Sequence, residues 1–183
     1  MKEKTAAEKL AEFVAELSFT RLTENQVFQL KTFFIDWLGS AFAGRSEPPV
    51  NIINHVLKSM GGEPEAVVLP ELTRGPCLFA ALVNGASSHV KEMDDLHRGA
   101  IFHPSASIIP AVFAAAERAH ISGEELITAI AAGYEVGIRV AMASGPKHYR
   151  YWHTTGTGLR SEPEPAAFYM VKWTSLKVIR RIR

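Results

Sequence analysis

Apolar residues recur along this chain at the spacing of one helix face, and short polar or proline-containing stretches separate the repeats. After Thr23 the positions Val27, Leu30, Phe34, Trp37, Leu38 and Ala41 follow the helical period, and Gly44 is placed to stop that helix. Helix starts are marked as well. Thr5 with Glu8, Thr23 with Gln26 and Ser122 with Glu125 have the capping-box spacing, in which two side chains satisfy orphan N–H groups of the first turn. The pattern NIINHVLKSM, between Pro49 and Met60, predicts a short helix ended by Gly61 and Gly62, and EAVVLP reads as one short extended segment.

Three further runs are apolar and rich in small residues: CLFAALVNGASSHV from Pro76 to Val90, SIIPAVFAAAERA after Pro104, and AIAAGYEVGIRVAMASG. They read as central helices, with Gly85, Gly133 and Gly137 allowing close contact rather than flexibility. Pro110 would cost an internal hydrogen bond, which places the start of its helix nearer Ile109. The expected fold is therefore all-α, a helical bundle with at most one short extended segment.

Composition narrows the partners. At 183 residues, 47% hydrophobic and 21% charged, with a net charge of +1, the chain has no electrostatic case for nucleic acid or an anionic membrane. Small molecules or another subunit fit better. The single Cys77 excludes an internal disulfide framework and a paired-cysteine zinc site, and reads as a buried small hydrophobe. MKEKTAAEKLAEFVAEL is amphipathic rather than a secretory signal, and no apolar run reads as membrane-spanning, so the expected location is cytoplasmic.

Chemistry concentrates between Asn84 and Pro104, NGASSHVKEMDDLHRGAIFHP, where His89, His97, His103, Glu92, Asp94 and Asp95 crowd between two apolar patterns. His103 sits just before a helix, and an imidazole there can act as acid or base near neutrality. Taken alone, it reads more readily as a capping or surface histidine. Asp94 or Asp95 is placed to hold His97 or His103 in one tautomer, the alternative being a solvated acidic loop. His89, Asp94, Asp95, His97 and His103 could also ligate a metal, but neither HExxH nor a paired-cysteine signature is present. His55, His89, His120 and His148 read as structural or exposed, with His89 near enough in sequence to line the same loop. No Walker loop, strand-borne GxGxxG or GxSxG elbow occurs.

In order along the chain, NGASSHVKEMDD, HPSASIIPAVFAAAE, AAGYEVGIRVAMASG and WHTTGT resemble the opening half of the MmgE/PrpD family. The resemblance runs from about Thr5 to Thr157 and implies the N-terminal part of that family's helical domain, with a smaller α/β domain in complete members. It implies metal-independent lyase or isomerase chemistry of the 2-methylcitrate dehydratase kind, in which a proton moves next to a carboxylate of a small polycarboxylate. No cofactor is implied, and a homodimer is. By resemblance His103, His153 and Asp94 would be catalytic, while Glu92, Asp95, His97 and Thr154 would bind substrate. Glu92 and Leu96 depart from the family's DFDDTH-like motif, since an aspartate and a hydroxyl residue usually stand there. A non-enzymatic helical interaction or assembly module is the competing class, with the histidine loop incidental.

The segment 158–183 changes character: LRSEPEPAAFYMVKWTSLKVIRRIR has no clear period and a basic end. Family members carry a small-residue helix after the WHTTGT position. Read in a new frame from the last base of the Leu159 codon, permitted codons spell TFGAGAG, and the codons of Phe168 to Thr174 force a later leucine, glycine and aspartate. The tail is therefore expected to be a frameshifted, irregular end on a partial domain covering 1–157, and the chain alone to be inactive. The alternative is a genuine short protein with a solvated or partner-binding basic end.

Overall fold

A computed structural model describes residues 3–158, so the expectation for the tail lies outside the described residues. Helices α1 (Ala6–Glu16), α2 (Glu24–Gly44) and α3 (Pro48–Met60) precede strands β1 (Ala66–Val68) and β2 (Thr73–Gly75). Helices α4 (Cys77–His89), α5 (Pro104–Ala119), α6 (Gly123–Ser144) and α7 (Thr154–Gly158) follow. The three capping boxes form at α1, α2 and α6, where Thr5, Thr23 and Ser122 accept from the N–H groups of Glu8, Gln26 and Glu125. The fold class is that expected from the hydrophobic pattern: a mostly helical domain with a short extended segment.

Helices α2, α5 and α6 pack around Trp37, Phe102, Ile109 and Ile130, all of them fully buried, and α4 packs against α2 and α5. Phe34 and Phe113 meet the indole of Trp37 at centroid distances of 5.5 and 5.9 Å. A second apolar cluster, Val50, Ala66, Val68, Ala80, Val83 and Ala114, joins α3 and β1 to α4 and α5.

The extended segment survives because α4 and α5 complete its hydrogen bonding. β1 pairs antiparallel with β2, with Val67 opposite Arg74. The buried Asn84 of α4 donates from Nδ2 to the Val67 carbonyl (2.9 Å) and accepts the Leu69 N–H at Oδ1 (2.8 Å). Glu117 of α5 takes the Val67 N–H at 2.7 Å. A two-stranded ribbon has little stability of its own, and these side chains supply the partners a third strand would.

One local expectation is corrected. Helix α5 begins at Pro104, not near Ile109, and Pro110 lies inside it. Pro104 occupies the first turn, where its missing N–H costs nothing. Pro110 does remove the donor for the Ala106 carbonyl. Helix α4 crosses at that point through Gly85, where a Cβ would lie 3.1 Å from Ala106 O and 3.4 Å from Pro110 Cγ. Packing against α4 holds the helix together through the break. Gly44 does close α2, but not through a left-handed cap, since the following Arg45 is right-handed helical. Its role is proximity: a Cβ on Gly44 would sit 2.0 Å from the Ser87 carbonyl and 2.6 Å from Val90 Cγ1. That contact sets α2 against the C-terminal end of α4, where Ser87 Oγ also donates to the Ala41 carbonyl at 2.6 Å.

Gly44→Ala is accordingly expected to destabilise the chain by about 2–3 kcal/mol, since backbone cannot yield as a side chain can. The check is a urea melt, and a midpoint that does not move would contradict the close approach.

Among the described residues, α6 is long and apolar enough to cross a membrane by length and composition, which the reading of the sequence had excluded. In this fold it is a core helix: Ala129, Ile130, Ala132, Tyr134, Val136 and Ala141 are buried, and Glu135 pairs with Arg139 on its other face.

Candidate functional site

Helix α4 ends at His89 and α5 begins directly after His103, so the intervening loop must turn back on itself within fourteen residues. Glu92 and Ile101 adopt left-handed conformations (φ 49° and 47°), and His97 bridges Phe102 through the backbone. Neither Glu92 nor Ile101 is glycine, so each carries a modest strain that the surrounding contacts must hold. The turns direct Asp94 inward, where its side chain is wholly buried.

Asp94 lies between two imidazoles. Its Oδ2 is 3.0 Å from His89 Nδ1 and 3.4 Å from His103 Nδ1. The contact with His89 is a hydrogen bond. The contact with His103 has ion-pair separation without hydrogen-bond alignment, which leaves His103 Nδ1 buried and without a hydrogen-bond partner. The rings of His89 and His103 meet edge to face at 4.8 Å. His153, just ahead of α7, completes the group at 5.7 Å from His89 and 6.3 Å from His103.

Other contacts fix the backbone of this cluster. The His103 N–H donates to Thr155 Oγ1 at 3.1 Å, which ties the start of α5 to α7. Asp95 accepts the Ser105 N–H at 2.9 Å and the Tyr134 hydroxyl at 2.8 Å. It therefore caps α5 from outside the helix, satisfying a first-turn donor that the His103 side chain does not. Phe33 stacks on Tyr134 at 5.0 Å, so α2, α6 and the loop converge on that cap.

The electrostatics follow from this crowding. The hydrogen bond that His89 donates to the Asp94 carboxylate raises His89 above the ordinary imidazole range, opposed by burial and helped by the charges of Asp94 and Glu92. Burial, then the charges of Asp95 and Asp94, raises Asp36 of α2. Burial and the Asp95 carboxylate push the Tyr134 phenol upward, so it stays a donor. The cluster consists of imidazoles and carboxylates, with no lysine or arginine among its described members.

Of the residues singled out from the sequence, the fold brings Asp94, His103 and His153 together. The remaining four stand apart from that cluster. Asp95 holds helix α5 and Tyr134 rather than an imidazole. Thr154 is buried, and the next residue, Thr155, makes the contact to His103. Glu92 is an exposed turn residue. His97 accepts the Ala100 N–H at Nδ1 and shapes the turn locally, so Asp94 holds His89 and approaches His103 rather than His97. His89 reads from the sequence as structural or exposed, though near enough to line the same loop and one of the possible metal ligands; its place five residues before Asp94 at a helix end is the usable signal for the bond they form. Nothing local in the sequence pointed to Asp36 or Tyr134.

Within the described residues a cavity of about 480 Å³ lies at the other end of α5, lined by Arg74, Phe113, Glu117 and His120 among others. Its arginine is already paired with Glu117 at 3.2 Å, and none of His89, Asp94, His103 and His153 lines it.

Comparison with known proteins gives the family. The MmgE/PrpD N-terminal domain matches residues 8–164. A cis-aconitate decarboxylase-like protein of Aspergillus oryzae is 27% identical over 154 residues, covering 79% of this chain and 32% of that protein. Human cis-aconitate decarboxylase is 30% identical over 139 residues (73% and 28%), and the Aspergillus terreus enzyme 28% over 142 (73% and 28%). The chain thus spans about a third of the length of these curated relatives. The domain match covers most of this chain, which therefore belongs to the MmgE/PrpD family.

Proposed function

We propose that this segment supplies the proton-handling part of a lyase site acting on a small polycarboxylate, of the kind named by its cis-aconitate decarboxylase relatives. The observation that carries the reading is the buried Asp94 carboxylate between His89 and His103, with His153 beside them. A buried anion favours the imidazolium form next to it, so the site can hold a proton and release it to a substrate carbon. In a decarboxylation, the bond to the carboxylate breaks, carbon dioxide leaves, and the electron pair left behind takes that proton. In a dehydration, an imidazole takes the proton from the carbon next to the carboxylate as the hydroxyl group leaves.

Acidic side chains repel a polycarboxylate. Within this reading, Asp94 and Asp95 orient groups rather than bind substrate, and the positive charge that holds the substrate comes from outside the cluster. The chain alone is then proposed to lack turnover.

The test is a graft in which residues 8–157 replace the matched segment of human cis-aconitate decarboxylase, assayed against a panel of small di- and tricarboxylates. Turnover of at least one panel member is expected, with none by the isolated chain. A folded graft that turns over no panel member would sink the proposal.

A further inference from the structure

We infer that His89, Asp94 and His103 form a binding site for a borderline divalent cation such as Zn²⁺, with His153 or water as the fourth ligand. One donor atom from each of the three residues lies within 4.8 Å of the others. The separations of 3.0 and 3.4 Å from Asp94 Oδ2 to the two imidazole nitrogens are those of neighbouring ligands on one ion. Metal bonds of about 2.0–2.1 Å at tetrahedral angles place adjacent donors roughly 3.3 Å apart.

Three features separate this group from a chance polar cluster. His103 Nδ1 is buried and has no hydrogen-bond partner, so it lacks the contact a cation would supply. The Asp94 side chain is wholly buried, and the His103 backbone is pinned by Thr155, so little ordering is needed on binding. The donor set is two imidazoles and one carboxylate, which suits zinc and its neighbours better than magnesium or calcium.

On binding, the His89 Nδ1 lone pair goes to the metal, and the proton that sat in the His89–Asp94 bond leaves to solvent or moves to Nε2. The cation thereby takes His89, Asp94 and His103 out of proton handling. It acts as an inhibitor and not as a cofactor. That consequence rests on the acid–base reading above, whereas the binding does not.

The experiment titrates the chain as it stands, freed of metal by a chelator, with Co²⁺ and then Zn²⁺. Saturation near one equivalent is expected, with the visible absorption of four-coordinate Co²⁺ and its loss on adding Zn²⁺. Affinity should fall about 100-fold in His89→Ala and in Asp94→Asn, each of which removes a ligand, and stay unchanged in the exposed-site control His55→Ala. Failure to saturate, a six-coordinate Co²⁺ spectrum, or binding that survives both ligand variants would overturn the site. Should the variants fail to fold, the imidazole resonances of the unaltered chain decide the matter. Zn²⁺-dependent shifts at His89 and His103 uphold the site, and shifts confined to other histidines refute it.

Discussion

In the graft, His103→Ala is expected to slow turnover by about 10³-fold, the middle of the range for a positioned acid or base. Neighbouring imidazoles are not placed to substitute for it. His89 is committed to Asp94 by a 3.0 Å hydrogen bond, and the His153 ring lies 6.3 Å away from the ring removed. Folding should survive, because the contact that anchors this position is made by the His103 backbone N–H to Thr155, which alanine keeps. The start of α5 is likewise held by Asp95 through the Ser105 N–H, independent of the imidazole. Turnover and the denaturation midpoint measured on the same preparation check both halves of the expectation. A loss below about tenfold would remove His103 from the chemical step.

Trp37→Ala carries the largest expected effect on stability, about 3–5 kcal/mol. The indole is fully buried and packed against Phe34 and Phe113, so alanine leaves a cavity that three helices border. Against a total stability of roughly 5–15 kcal/mol, that loss is enough to leave much of the chain unfolded or loosely packed. Trp37→Phe should cost far less. Trp37 Nε1 has no hydrogen-bond partner, and phenylalanine removes that buried donor while filling most of the space. Urea melts of the two variants provide the check, and equal destabilisation by both would contradict this account of the core.

Features that depend on neighbours in the chain were legible in the sequence. Thr5, Thr23 and Ser122 each sit three residues before their Glu or Gln partner, and all three boxes form. The helical period likewise identified Trp37 as core. Features that depend on distant contacts were not legible. Nothing beside Pro110 reveals that Gly85 of α4 will pack against its break, so the start of α5 was misplaced. Asn84 reads as a polar residue in an apolar run, and only the fold shows it completing β1. The same holds in the site. Spacing and resemblance single out His103, Asp94 and His153, which the fold gathers, but leave Asp94 and Asp95 as alternatives beside an imidazole; the partners of Asp95 are Ser105 and Tyr134. A carboxylate's partner is set by which way the loop turns. Here the left-handed Glu92 and Ile101 decide it, and neither residue type announces such a conformation.

The most direct test of proton handling by His103 is chemical rescue of the His103→Ala graft with free imidazole. Alanine leaves room where the ring stood, and the Asp94 carboxylate that faced it remains. Turnover should rise with imidazole concentration while the unaltered graft stays unaffected. If the folded variant stays slow at every imidazole concentration, His103 does not work as an acid or base, and the proposed chemistry is contradicted.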